Sequence, residues 1–264
     1  MLLTVTSIPR LVGMVHLGPL PGSPDFSGSL DAVEGAAVVD ARILEQAGFD
    51  GIMVENFGDV PFFADDVPKL TVAAMTRMLT AVVDAVSLPV GVNVLRNDGT
   101  AALAIAAVTG AAYVRINVLS GLMYTDQGPI VGRAAEIARF RRQHAPDVAI
   151  MADVFVKHAV PPPGSTIEQA ARDLAERGGV DAVVVSGSGT GAAAAREDLM
   201  KVRATVDLPV VVGSGATVET VRDLLGRADG VIVGTSIKRD GVSTNPVDLE
   251  RARAFVAAAG AHTP

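Results

Sequence analysis

The sequence predicts a single (β/α)8 barrel, the TIM-barrel fold, as one domain over residues 1–264. The chain has 264 residues, and such a barrel takes roughly 250. Apolar residues make up 49% of it, and the mean hydropathy is +0.40, which is enough for a large core. Predicted strands and helices alternate along the whole chain, an order typical of a parallel sheet. Eight such units favour closure, and a doubly wound open sheet is the alternative.

Eight segments predict buried strands, because each is a largely continuous apolar run rich in β-branched residues. They span residues 11–16, 51–55, 90–94, 112–117, 149–154, 182–186, 210–213 and 230–234. In the segment 71–86, apolar side chains recur at helical spacing and define one face of a predicted helix. They are Met75, Met78, Leu79, Val82 and Val86.

Two further helices are predicted from their start signals. The residues from Ser165 to Glu168 match a capping box that opens the helix carrying Leu174. Asn245 followed by Pro246 predicts an N-cap and a first helical position for the last helix.

Composition and charge exclude several classes of protein. The net charge of −7 argues against a nucleic-acid polymer as partner, and no basic run suits an anionic lipid surface. The chain has no cysteine, so disulfides, thiolate nucleophiles and cysteine-ligated metals are excluded and a cytoplasmic location is expected. No signal peptide is predicted at residues 1–10, and the apolar stretch 101–114 is too short to span a bilayer. Peripheral membrane association and homo-oligomerisation stay open.

Polar residues gather where the apolar strand runs end. Strands one to six contribute His16, Glu55, Asn93, Arg115, Asn117, Asp153, Ser186 and Gly187, and the long loop after strand five adds Lys157 and His158. Long loops also follow strands one, two and four, and active sites of this fold lie on that face. Singly, each residue has a structural alternative, such as a satisfied core histidine at position 16 or an arginine at 115 paired with a carboxylate. Together they predict one network at the C-terminal mouth.

Glu55 and Asp153 are the predicted general acid and base, because burial at an apolar strand end raises a carboxyl pKa toward neutrality. His16, Lys157 and His158 complete the predicted catalytic set. Asn93, Arg115, Asn117, Ser186 and Gly187 are the predicted substrate-binding residues. No cofactor is certain. A divalent metal held by His16, Glu55, Asp153 and His158 stays open, without any supporting motif spacing.

The last two predicted strands end in glycine-containing turns that offer backbone N–H groups. In this fold the loops after strands seven and eight bind phosphate. The predicted phosphate-binding residues are Gly213, Ser214, Gly215, Gly234, Thr235, Ser236 and Lys238. The glycine-rich run 186–191 lacks the lysine of a P-loop and is interpreted as a third wall of the same site.

Five segments resemble the BtpA/SgcQ family. They are GMVHLGPLPGSP (13–24), DGIMVENFGDVP (50–61), VRINVLSG (114–121), ADVFVKH (152–158) and DGVIVGTSIK (229–238). The resemblance implies a TIM barrel of the ribulose-phosphate-binding type. One branch of the family is named for photosystem I biogenesis at the cyanobacterial thylakoid membrane, and another lies in a bacterial sugar-utilisation gene cluster. It implies no particular reaction.

Two functions therefore follow from the sequence. The first is an enzyme acting on a small phosphorylated sugar, nucleoside or nucleotide by acid/base or metal-assisted chemistry, as an isomerase, lyase or hydrolase. The second is a non-catalytic biogenesis factor for photosystem I or another membrane complex. The polar residues at the strand ends favour the first, whereas an exposed apolar patch on the helical shell would favour the second.

Overall fold

The computed structural model describes residues 8–187 and 196–260. In chain order its strands are β1 (Leu11–His16), β2 (Gly51–Glu55), β3 (Val90–Asn93), β4 (Tyr113–Ile116), β5 (Leu122–Thr125), β6 (Gly128–Val131), β7 (Ala149–Asp153), β8 (Ala159–Val160), β9 (Ala182–Val185), β10 (Val210–Val212) and β11 (Gly230–Val233). Eight of these form one closed parallel barrel in the order β1-β2-β3-β4-β7-β9-β10-β11, and β11 returns to β1. The predicted TIM barrel is confirmed, and the open-sheet alternative is excluded by this closure.

Helices cover the outside of the barrel. They are α1 (Leu30–Ala47), α2 (Lys69–Ala85), α3 (Gly99–Thr109), α4 (Ala134–His144), α5 (Ile167–Asp173), α6 (Arg196–Thr205), α7 (Val221–Leu225) and α8 (Leu249–Ala259). The predicted apolar face of α2 is buried from Met75 to Val82, because it packs against the barrel. No helix among the described residues is long and apolar enough to cross a membrane.

Both predicted helix starts differ from the observed ones, and each helix begins later in the chain than predicted. Helix α5 is capped by Thr166, whose side chain accepts a hydrogen bond from the Gln169 N–H, and not by Ser165. Helix α8 is capped by Asp248, whose carboxylate accepts from the Arg251 N–H. Asn245 and Pro246 instead lie in the loop before it, because the chain there first pairs with the segment after β11. In both cases a side chain nearer the helix satisfies the exposed N–H groups.

The interior of the barrel is filled by side chains. The inward-facing apolar cluster consists of Val12, Met14, Met53, Tyr113, Ala149, Met151, Ala182, Val184, Val211 and Ile232. The Tyr113 hydroxyl donates to the Ile52 carbonyl at 2.6 Å. The ring lies across Gly91, where a Cβ would stand 2.1 Å from Tyr113 Cε2. This inward-facing cluster, the apolar plug, fills the barrel below its C-terminal end. Inward side chains one layer higher can therefore face only the mouth.

A small antiparallel sheet is built over one side of the mouth. The segment between β4 and α4 forms the hairpin of β5 and β6, and β8 adds to β5 from the loop after β7. Its inner face contributes Met123 and Ile130 to a separate apolar cluster with Val156. The long loops predicted after the fourth and fifth barrel strands are therefore ordered parts of the mouth.

Candidate functional site

Strand register brings the predicted polar residues to one level. His16, Glu55, Asn93 and Arg115 are successive Cα partners across β1, β2, β3 and β4. Because side chains alternate along a strand, partners at one level of a parallel barrel point to the same side. Here that side is the interior, above the apolar plug. The register brings the four side chains to one level of the mouth. Their hydrogen bonds do not form the single predicted network, because His16 bonds to the Ser243 carbonyl and the Glu55 side chain to none of the described residues.

The centre of the mouth is a buried ion pair between Arg115 and Asp153. The guanidinium Nε donates to Asp153 Oδ2 at 2.9 Å and Nη2 to Oδ1 at 2.7 Å, with side chains 2% and 0% exposed. Ser186 Oγ donates to Asp153 Oδ1 at 2.6 Å and accepts from Arg115 Nη2 at 3.1 Å. Burial alone lowers the pKa of Arg115, but the paired carboxylate outweighs it, so the pKa lies above its ordinary value.

Gly213 makes room for this ion pair. A Cβ at this position would stand 2.8 Å from Ser186 Oγ and 3.1 Å from Arg115 Nη2. A side chain there would displace the guanidinium from the wall of the mouth. This reason for the small size of Gly213 is independent of the predicted phosphate contact.

Asn93 and Asn117 support the ion pair from behind. Asn93 Nδ2 donates to the Arg115 carbonyl at 2.9 Å and to Asn117 Oδ1 at 3.0 Å. Asn117 Nδ2 reaches Asp153 Oδ2 at 3.4 Å. Two cavities open at the mouth, one of about 240 Å³ and one of about 460 Å³, and neither asparagine lines either of them. Their geometry is that of residues that position others, although direct substrate contacts were predicted for them. Gly187 is buried and also lines neither cavity, and the rest of the loop 186–191 lies outside the described residues.

Glu55 is placed differently from Asp153. It is 2% exposed, yet its carboxylate makes no hydrogen bond or ion pair with any of the described residues. It lines both cavities at the mouth. Arg115, Lys157 and Arg96 contribute positive charge around it. A carboxylate held in this way is available to a bound molecule.

Two cations flank Glu55 on the side of the small sheet. Lys157 lines both cavities, and burial lowers the pKa of its ammonium while Glu55 opposes that shift. Arg96 is 4% exposed and donates from Nη2 to the Lys157 carbonyl. Sequence reasoning missed Arg96, although it follows the end of β3 as the other candidates follow their strands. His158 lies beside them on the wall of the larger of the two cavities at the mouth.

His16 presents a neutral imidazole to the first cavity. Its Nδ1 lies 2.8 Å from the Ser243 carbonyl. A carbonyl only accepts, so Nδ1 carries the proton and Nε2 is an acceptor. The ring stacks on Phe57 at 4.4 Å between centroids, and Gly234 leaves space for its Nε2 edge. Burial, aided by the charge of Lys238, lowers the pKa of His16 to about 3.

The glycine-containing turns after β10 and β11 form the opposite wall. They line a cavity of about 240 Å³, the anion cavity, together with His16, Glu55, Arg115 and Lys157. Its loop residues are Gly213, Ser214, Gly215, Ala216, Thr217, Gly234, Thr235 and Ser236. The backbone N–H groups of Gly215, Ala216 and Gly234 donate to no other described residue. Gly215 has a φ of 75°, which favours glycine there. Ser236 Oγ donates to the Ala216 carbonyl at 2.8 Å and ties the two turns together.

Lys238 is a correction to the predicted phosphate-binding set. Its side chain is fully buried, and its ammonium pairs with Asp40 of α1 at 2.8 Å. It does not line the anion cavity. The 3-10 turn Thr235–Ile237 directs the lysine away from the mouth into the layer between barrel and helices. Its role is to fix the loop after β11.

The four predicted metal ligands are not assembled. In the part of the chain that the structure describes, no three of His16, Glu55, Asp153 and His158 bring ligand atoms within 4.8 Å of one another. Arg115 also occupies both oxygens of Asp153. Three acidic residues, Asp65, Asp66 and Asp98, do meet this distance elsewhere. Arg133 pairs with two of them and Asp98 caps α3.

Fold and site together define the class: a (β/α)8 barrel with a charged, glycine-walled cavity at the C-terminal mouth. The chain belongs to the BtpA family, whose model matches residues 8–261. It is 52% identical over 248 residues to an uncharacterized protein of Thermococcus kodakarensis, with 93% of each chain covered. It is 45% identical over 249 residues to the photosystem I biogenesis protein BtpA of Synechocystis, covering 94% of this chain and 87% of that one. The predicted family resemblance is confirmed.

Solved structures share the fold at lower identity. A thiamine phosphate pyrophosphorylase from Pyrococcus furiosus superposes with a TM-score of 0.58 at 13% identity, with 95% of both chains covered. A tryptophan synthase from Mycobacterium tuberculosis gives 0.60 at 19% identity, covering 95% of this chain and 90% of that one. At such identities the likeness shows the barrel alone.

The lowered pKa of His16 makes stability depend on pH. The unfolded imidazole binds a proton below its ordinary value of 6.5, whereas the folded one does so only near 3. Above pH 6.5 His16 is neutral in both states and does not lower the free energy of unfolding. As the pH falls below 6.5, the unfolded state gains a proton that the folded state does not, so the free energy of unfolding decreases. Below pH 6 the loss approaches about 1.4 kcal/mol per pH unit. Urea unfolding of the parent and of His16→Gln between pH 8 and pH 5 should show a shallower loss in the variant. Parallel pH curves would contradict the buried neutral imidazole.

Proposed function

We propose that this protein is an enzyme that binds a small phosphorylated molecule at the barrel mouth and uses Glu55 to move a proton. The observation that carries the proposal is the placement of Glu55. It is a buried carboxylate without a hydrogen bond to the described residues. It lies on the wall of the anion cavity, and the opposite wall is formed by the glycine-containing turns after β10 and β11, which we call the phosphate cradle. An unpaired buried carboxylate costs stability, so its presence in this cavity is best explained by use.

The phosphate would bind to the turns after β10 and β11. The backbone N–H groups of Gly215, Ala216 and Gly234 can donate to an anion, and the Thr235 hydroxyl can do so when Ser243 donates to it. The protein carries a net charge of −7, and Arg115 and Lys157 supply local positive charge. Barrels with a similar fold include proteins named thiamine phosphate pyrophosphorylase, phosphoribosyl anthranilate isomerase and N-acetylmannosamine-6-phosphate 2-epimerase. The proposed substrate class is a phosphorylated sugar, nucleoside or nucleotide.

The remaining groups have separate roles in this proposal. Glu55 is the general acid or base. Arg115 and Lys157 stabilise negative charge that develops on the substrate. The Nε2 of His16 accepts a hydrogen bond from a substrate hydroxyl. Asp153 positions Arg115 and does not itself transfer a proton, since both of its oxygens are engaged. Isomerase, lyase and hydrolase chemistry all fit this set of residues. The proposed location is the cytoplasm, which the cysteine-free composition supports.

Ser214→Asp tests the phosphate site. The substitution places a negative charge among the donor N–H groups, so binding of inorganic phosphate, ribose 5-phosphate and glucose 6-phosphate should weaken at least about tenfold, or about 1.4 kcal/mol. Ser214→Asn is the matched control, because it adds the same bulk without charge. Thermal-shift titrations of parent and both variants measure the effect. Equal responses of the aspartate and asparagine variants would contradict the site.

Glu55→Gln tests the acid/base assignment. Turnover should fall about 10²- to 10⁴-fold. Phosphate binding should not weaken and the melting temperature should stay at or above the parental value, because the variant removes a buried negative charge that bonds to none of the described residues. The reaction itself is first identified by mass spectrometry of products formed from a panel of phosphorylated sugars and nucleotides.

Asp153→Asn is the contrasting variant. It strands a buried guanidinium and should lose about 3–5 kcal/mol of stability. Full turnover in Glu55→Gln would exclude Glu55 as the acid or base.

A second candidate function is assembly of photosystem I or another membrane complex. One surface feature favours it besides the named Synechocystis relative. On the small sheet, Tyr124 lies opposite Val160, and Val131 lies opposite Leu122. Leu122 is two residues before Tyr124, so all four point outward from one face. Tyr124, Val131 and Val160 are 49%, 61% and 65% exposed, and a shared apolar face of this kind marks an interaction surface.

Complementation separates the two candidates. If the assembly function holds, this chain restores photosystem I in Synechocystis cells that lack BtpA, and Val131→Lys with Val160→Lys removes the rescue by placing charge on the apolar face. Glu55→Gln, in the mouth, serves as the control and should rescue as well as the parent. Photosystem I content is measured by low-temperature fluorescence. Failure of the parent to rescue, or loss of rescue in Glu55→Gln, would contradict a purely non-catalytic role.

A further inference from the structure

A second cavity opens beside the anion cavity and shares two residues with it. This side cavity has a volume of about 460 Å³ and lies between the loop after β2 and the loop after β7. Glu55 and Lys157 line both cavities. The two spaces therefore meet at Glu55, with the phosphate cradle on one side of the carboxylate and the side cavity on the other.

The walls of the side cavity are apolar, unlike those of the anion cavity. Phe57, Val60, Phe62 and Leu95 form them. Val60 is 53% exposed in this open space. Apolar walls cannot replace the water around a phosphate or a polyhydroxylated sugar. They suit a flat apolar group, and the phenylalanine rings allow offset or edge-to-face contacts with an aromatic ring.

Polar groups lie around these apolar walls and would contact the edge of such a ring. Arg96 and Lys157 offer donors, whereas Glu55 and Asp126 offer carboxylate acceptors. Arg96 is 4% exposed and is held by its bond to the Lys157 carbonyl, so its position is set before any ligand arrives. Apolar walls with a few convergent polar groups are the usual composition of a small-molecule site. Donors and acceptors together match a ring that carries N–H or C=O groups.

We propose that the substrate carries a planar aromatic or heteroaromatic ring, which binds in the side cavity while its phosphate binds in the cradle. This inference rests on the proposed function and narrows its substrate class from phosphorylated sugars, nucleosides and nucleotides to those that carry a ring of this kind. The part of the molecule that joins ring and phosphate lies against Glu55 and Lys157. The bonds that react are consequently those of this joining part.

The test compares ligands with and without a ring. Isothermal titration of ribose 5-phosphate, AMP, UMP and nicotinamide mononucleotide against the parent should give at least one mononucleotide that binds ten times or more tightly than ribose 5-phosphate. Phe62→Ala should reduce that preference to threefold or less and leave ribose 5-phosphate binding unchanged. Phe63→Ala is the matched control. Phe63 is the neighbouring phenylalanine, 56% exposed, and lines a different cavity, so its loss should leave the preference intact.

The outcomes separate this inference from the proposed function. If all mononucleotides bind no more tightly than ribose 5-phosphate, the ring site is overturned, while sensitivity of ribose 5-phosphate to Ser214→Asp still supports the phosphate site. If a ring-dependent preference persists in Phe62→Ala, the side cavity is not its origin and the inference is overturned. If no probe responds to Ser214→Asp, the phosphate site fails. Nucleosides that then bind with Phe62 dependence would also overturn the claim that ring and phosphate belong to one molecule.

Discussion

The mouth of this barrel depends on the ion pair between Arg115 and Asp153. A guanidinium that is 2% exposed above an apolar plug is tolerated only when a carboxylate and further hydrogen bonds replace its water. Asp153 provides two bonds, and Ser186 bridges the partners. Asn117 and Asn93 complete the shell, and Gly213 leaves the necessary space. Most of the polar residues at the strand ends are thus required by one buried charge.

This arrangement gives the two carboxylates of the mouth different chemistry. Asp153 has its oxygens occupied by Arg115, Ser186 and Asn117 and is fixed in position. Glu55 faces the cavities with cations nearby and makes no hydrogen bond to the described residues. Two carboxylates separated in this way by environment are a recurring basis for dividing catalytic roles. The sequence places both at strand ends and therefore treats them as equals. Only the partner of each side chain distinguishes them.

The predictable part of the structure was the part governed by local pattern. Continuous apolar runs located all eight barrel strands, usually to within a residue of their ends, because buried parallel strands need such runs. The register that gathers His16, Glu55, Asn93 and Arg115 followed from strand-end position. Lys238 could not be assigned in this way, because its partner Asp40 is 198 residues away in the chain. Asn93 and Asn117 were placed at the mouth, but nothing in their spacing shows that they face Arg115 instead of the cavity.

The misassigned lysine shows how the cradle is kept in shape. Lys238 pairs with Asp40 of α1, and Asp40 also accepts from the Val247 N–H at 2.8 Å. The Ser243 carbonyl between them accepts a hydrogen bond from Nδ1 of His16 on β1. The segment after β11 is therefore anchored to the helical layer and to the barrel, while the turn at Gly234 faces the anion cavity. Donors held in place before a ligand binds need no reorganisation when negative charge arrives. A buried lysine behind these turns therefore makes the loop rigid, which would favour the proposed anion binding, whereas the same residue inside the cavity would contribute charge alone.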